Sequence, residues 1–298
     1  MYFYLEWNDR RPDKILFLKE KPNDINFENK FKIQSIEHII CGKINPKMEQ
    51  YNPPLELYYK KVPYLLSHLQ KSIRRMNDII SVKTAKHLID LDYNSFLRRL
   101  PIIMLEDVTI HSSFPIIIWL MIATTKGFPM KYEIIKWLLG IIYHLSTCRD
   151  VTFYMNKEIK EIPLNEEDEI MLHALRFRKV YGGMKGDMNM IEFYTQLLYS
   201  KNIKINEDKI PIIKIPLKRL RKKEWIIEAN DFHCNHYIID YLEKRHPKLK
   251  KDYIKLLIWN FSSSQNNRIL KENDSKQEND WDKIYLDVIN YQKKCRFY

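Results

Sequence analysis

Apolar residues fall in short runs before residue 60 and recur at three- and four-residue spacing after it. Tyr2-Phe3-Tyr4-Leu5 and Ile15-Leu16-Phe17-Leu18 flank Asp9-Arg10-Arg11-Pro12-Asp13, the pattern of a small hairpin. Lys30 to Ile40 fits a third strand or a short helix, and Asn52-Pro53-Pro54 closes the section. Leu65, Leu66, Leu69, Ile73 and Met76 then share one helical face. Further helices are predicted from Ser81 to Asp90, from Tyr93 to Asp107 with a bend at Pro101, from Phe114 to Ala123, and from Met130 to Cys148. The Phe114 helix is apolar on every side, which predicts a central position.

Carboxylates at 166–169 suit a helix N-terminus, and that helix runs to Tyr181 before Gly182-Gly183 stops it. Another spans Asp187 to Lys201. The proline-marked stretch 209–216 predicts an edge strand or a surface strap. Asn230 or Asp231 caps a helix through Arg245, and Leu249 to Phe261 forms the next. Ser262 to Asp280 is polar and aperiodic, which predicts a flexible linker. Trp281, Ile284, Tyr285 and Val288 then restore a helical stripe that must dock on the chain's own body or on a partner. The expected fold is mainly α, a multi-helix bundle with a small mixed α/β N-terminal section. Its expected parts are 1–61, the helical body 62–261, the linker 262–280 and the tail helix 281–298.

Only 6 glycines in 298 residues favour helix over turn-rich β architecture. The abundance of Lys, Ile, Asn and Tyr fits an AT-rich genome. Four unpatterned cysteines fit a reducing compartment. The N-terminus lacks a signal-peptide pattern, and the longest apolar run falls short of the ~20 residues a membrane span needs. A soluble intracellular protein is expected, in cytoplasm, nucleus or virion.

A net charge of +12 changes the picture by favouring an anionic partner, DNA or RNA. The basic residues gather as Lys71, Arg74 and Arg75; as Lys218, Arg219, Arg221, Lys222 and Lys223; and as Lys244, Arg245, Lys248, Lys250 and Lys251. Trp225, Tyr237, Tyr241 and Tyr253 lie near them as stacking faces. The alternative is a solvated lysine-rich surface. Gly182-Gly183-Met184-Lys185-Gly186-Asp187 lacks phosphate-loop spacing and reads as a helix stop and start; otherwise its amides and Lys185 contact a phosphodiester. His233, Cys234, His236 and His246 lack zinc-site spacing, and no nucleophile or zincin signature is present. No catalytic residue, metal or cofactor is assigned.

Ser67-His68-Leu69-Gln70-Lys71-Ser72-Ile73-Arg74, Arg98-Arg99-Leu100, Glu106-Asp107-Val108 and Gly127-Phe128-Pro129 follow one another in an order with a family likeness. Residues 64–149 resemble the C-terminal collar region of clamp-loader-like AAA+ ATPases of the Werner-helicase-interacting type. The Walker motifs are absent, so ATP hydrolysis does not carry over. The resemblance implies protein–protein contact or self-association in DNA replication or repair. It also implies a structural role for Arg98, Arg99, Glu106 and Asp107, one arginine of the pair meeting one carboxylate. The function expected is a non-enzymatic accessory or scaffold protein of nucleic-acid metabolism. Alternatives are a nucleic-acid-processing enzyme with a site assembled from distant residues, and a structural or virion component of an AT-rich virus.

Overall fold

Strand β1, Tyr2–Trp7, buries Phe3, Leu5 and Trp7 along one face, as a period of two requires. It is a central strand of a four-stranded mixed sheet ordered β2-β1-β4-β3 in the computed structural model. The structure describes residues 1–152, 166–200, 203–216, 218–229, 236–269 and 275–295. The expected hairpin is present: β1 pairs antiparallel with β2, Lys14–Leu18, Tyr2 opposite Leu18. The Lys30–Ile40 stretch belongs to two strands, β3, Phe27–Ile33, and β4, Ile36–Ile44. Between them Gln34 and Ser35 take φ of 48° and 71°, the left-handed pair that a two-residue hairpin turn demands. Strand β4 also runs parallel to β1.

Helices α1, Val62–Arg74, α2, Asp78–Leu91, α3, Tyr93–Asp107, α4, Phe114–Thr125, and α5, Tyr132–Thr147, follow. Every residue from Phe114 to Ala123 is buried, so the helix without a polar face does lie inside. It seats on the sheet: Trp119 Nε1 bridges the carbonyls of Phe3 and Cys41, each at 3.0 Å. One core therefore runs from the sheet through the helices, and residues 1–61 are not a separate packing unit.

Helices α6, Glu166–Val180, and α7, Lys185–Tyr199, extend that core, with Phe177 against Phe3, Phe17 and Phe31. Gly182, at φ +74°, ends α6 as its sequence predicts. The 203–216 segment crosses the surface as an extended strap, bridged to His111 through Asn206. Two 3-10 turns, Lys222–Glu224 and Ile227–Ala229, follow.

The C-terminal part departs from expectation. Helices α8, His236–Arg245, α9, Lys251–Ile258, and α10, Ser275–Cys295, enclose a second core of Ile238, Leu242, Ile254, Leu257, Ile284 and Val288. The tail stripe thus docks on the chain itself, and the expected body 62–261 divides between two cores. The tail helix begins at Ser275 rather than Trp281. Ser262, Ser263, Asn266 and Asp280 are buried, so the described parts of 262–280 are not a flexible linker. Among the described residues no helix is long and apolar enough to cross a membrane.

Candidate functional site

The residues of the collar-like block meet where α1 ends against α3. Gln70 and Arg74 lie one turn apart on α1 and face the last turn of α3. Arg74 binds Asp107 through Nε and donates from Nη2 to Glu106 at 2.8 Å. Gln70 Nε2 donates to Glu106 and to Asp107, both at 2.8 Å, and its carbonyl oxygen accepts from Arg99. Of Arg98 and Arg99, expected to supply a partner for one carboxylate, Arg99 does so at ion-pair distance, and Arg74 is the closer partner. Arg99 stands 3.9 Å from Glu106 and 3.8 Å from Asp187, beyond hydrogen-bond length. Arg98 donates to the carbonyl of Tyr181, just past the end of α6. Burial pushes the Asp107 carboxyl up to about 6, against the pull of Arg74 and Gln70.

Beside this network lies a cleft of about 800 Å³ lined by Leu66, Gln70, Arg99, Glu106, Asp187 and Trp259 among others. Two carboxylates from distant segments, Glu106 and Asp187, line it, with Asp107 behind. Among the described residues no group of three His, Cys, Asp or Glu side chains is placed to hold a metal ion. His233 and Cys234 lie outside the described residues, as does the His236 side chain; His246 meets Asp287 at 2.9 Å. The network's chemistry is charge neutralisation between helices, with each carboxylate already bonded.

Its positive charges are therefore not a solvated patch. Lys71 is 3% exposed and donates to the carbonyl of Ser263. Arg74 is turned inward, and Arg75 pairs with Glu228 at 3.3 Å. Lys71 is buried and Arg74 and Arg75 are half-buried and paired, while Lys71 and Arg74 still line the cleft. Lys185 is exposed at the start of α7. In the α8–α9 group Arg245 pairs with Asp287 and Lys251 with Asp240, while Lys244, Lys248 and Lys250 are exposed.

The 218–223 group also carries exposed charge. Lys218, Arg219, Arg221 and Lys223 are exposed, and the Lys222 side chain lies outside the described residues. Arg221 is held by Glu224 at 2.9 Å. Lys218 and Arg219 pair with no carboxylate among the described residues. Both border a recess of about 220 Å³ against Tyr58, Lys83, Lys86 and His87. Arg219 lies over the Tyr58 ring at 5.0 Å, and the His87 ring meets Tyr58 edge-on at 4.4 Å. Burial keeps the His87 imidazole below its ordinary range, hence neutral at pH 7.

Tyr58, Lys83, Lys86 and His87 were not foreseen as site residues. The signal was the spacing of Lys83 and Lys86, one helical turn apart, but their partners come from a loop and a strap that no local pattern links. Of the foreseen aromatics, Trp225 is spent inside a cluster with Tyr59, Tyr64 and His68. Tyr241 packs on Tyr291, and Tyr253 donates to Asp280; Tyr237 is exposed.

Of the tail residues expected to bind a partner, Trp281, Ile284 and Val288 are buried in the second core, and Tyr285 is partly exposed. Their sequence spacing is that of a docking helix, but the chain supplies the groove itself. Comparison of the chain with protein-family models, with curated proteins and with solved structures returns no match.

Proposed function

We propose that this protein is a non-enzymatic accessory or scaffold protein of nucleic-acid metabolism, of replication or repair type. In this reading the helical body is a multi-helix bundle that contacts protein partners or a second copy. Nucleic acid is held by charge along the 218–223 segment. The observation that carries the reading is the contrast between two kinds of cation. Arg74 is consumed by Glu106 and Asp107, whereas Lys218 and Arg219 are exposed and pair with no carboxylate among the described residues. Uncompensated lysines and arginines suit phosphate contact, which is weakly sequence-specific. Titration of a fluorescent oligonucleotide at low salt tests this. Binding that the Lys218→Gln, Arg219→Gln, Lys223→Gln variant weakens supports the reading, and no binding by the native chain removes it.

A nucleic-acid-processing enzyme is the second reading, favoured by the convergence of Glu106 and Asp187 on one cleft with Asp107 behind. It is the weaker one because both neighbouring carboxylates, Glu106 and Asp107, are already bonded to Arg74 and Gln70. Incubating labelled DNA and RNA with the protein and Mg²⁺ or Mn²⁺ decides it. Cleavage that Glu106→Gln abolishes would establish the enzyme.

A further inference from the structure

Three segments build the recess at Tyr58: Glu56 and Tyr58 come from the loop before α1, Lys83, Lys86 and His87 from α2, and Pro216, Lys218 and Arg219 from beside the strap. The Leu220 amide donates to Tyr58 Oη at 3.3 Å and so ties strap to loop. On the floor, Lys86 is matched by Asp90, and Lys83 by Glu224 at 2.8 Å. Asp90 also accepts from Tyr51 Oη. Lys218, Arg219 and Glu56 line the recess as well. Its aromatic group, Tyr58, is already paired with the Arg219 guanidinium.

We infer that this recess seats one nucleotide of a single strand, its phosphate on Lys218 and its base stacked on the Arg219–Tyr58 pair. The inference rests on the nucleic-acid reading above and narrows it to unpaired strands. A duplex turns its bases inward and presents a convex backbone, so a recess of this size meets only its phosphates. An unpaired base swings out and stacks on an aromatic ring or a guanidinium plane. Burial holds His87 below its ordinary range, so it adds no charge of its own, and the stacking surface the recess offers is the Tyr58 ring with Arg219 over it.

The test uses the full chain and four probes of equal length in fluorescence anisotropy at ~0.15 M salt. They are a fluorescein-labelled oligothymidylate, the corresponding oligouridylate, an abasic strand of the same charge, and a duplex. Expected is about tenfold tighter binding of either pyrimidine strand than of the abasic strand or the duplex, the worth of stacking a base. Arg219→Gln should remove that advantage while leaving duplex binding within about twofold, since one phosphate contact of several is lost. If the protein binds all four probes alike, or if Arg219→Gln leaves the preference intact, the inference fails and the electrostatic reading stands. If no probe binds even at low salt, both fail. Retention of the native melting temperature by Arg219→Gln excludes misfolding as the cause.

Discussion

The guanidinium of Arg268 donates to the backbone carbonyl of Ile73 at 2.9 Å, across 195 residues of sequence. The same side chain donates to Cys148 at 2.8 Å and to Leu145, the last carbonyls of α5. Around it Asn266 Nδ2 donates to the carbonyl of Asp107, and the Asn267 amide to that of Arg74, both at 2.9 Å. One short polar segment thus satisfies the orphan carbonyls of α1, α3 and α5, and puts a cation at the negative ends of their dipoles. It also fastens the second core to the first. Arg268→Ala should cost about 3 kcal/mol or more of stability in urea unfolding, because several buried carbonyls lose their donor at once. Arg268→Lys should recover only part, since an ammonium lacks the planar fork. A loss below about 1 kcal/mol, the worth of a single ordinary hydrogen bond, would sink the latch.

Asp107 sets a pH dependence whose sign follows from its burial. Its carboxyl binds a proton more tightly folded, at about 6, than unfolded near the ordinary value of 3.8. The folded state then holds the extra proton between those values, so stability falls as pH rises from about 4 to 6 and levels off above. Asp107→Asn cannot titrate, so the native chain should lose stability relative to the variant between pH 4 and 7. The constant offset from unpairing Arg74 cancels in the comparison. A native chain that gains on the variant as pH rises would show that Arg74 outweighs burial.

Salt separates the surface cations from the internal ones. Replacing Lys218 and Lys223 with Gln should flatten the slope of log affinity against log salt by ~0.7 per lost contact on a single strand. Lys71→Gln should leave that slope unchanged and lower thermal stability instead, because Lys71 is buried and holds the Ser263 carbonyl. Equal effects on the slope would mean that the buried lysine reaches the ligand after all.

Periodicity made most helices legible because their core contacts repeat every turn. The predicted ends of the Tyr93 helix and of the Gly182 stop match α3 and α6, where a polar turn or a glycine marks the boundary. The latch stayed hidden for a physical reason. Asn266, Asn267 and Arg268 donate to backbone carbonyls and the Ser263 carbonyl accepts from Arg74, which leaves no hydrophobic signature and resembles linker composition. Glu106 and Asp107 are helical neighbours that point apart, yet at the final turn of α3 the long Arg74 and Gln70 side chains reach both. The recess was invisible in part because Tyr58 and Arg219 become neighbours only in three dimensions.

Gly140 tests the strap that carries the basic segment to the recess. It lies within α5, where alanine is ordinarily better than glycine by about 1 kcal/mol. Here a Cβ at 140 would stand 1.8 Å from the Pro211 carbonyl oxygen and 3.0 Å from Ile210 Cγ2. The first atom is backbone and cannot rotate away, so the strap itself must lift. Ile210 is buried at this crossing, and its displacement exposes apolar surface as well. Overpacking of this kind typically costs 1–3 kcal/mol, about as much as or more than the helical gain. Gly140→Ala should therefore destabilise the protein by up to about 2 kcal/mol net. Because Pro216 lines the recess five residues beyond Pro211, the same variant should also weaken binding of a single strand. Urea unfolding and anisotropy read the two effects separately. A more stable Gly140→Ala protein would mean that helix propensity wins and that the strap does not press on α5.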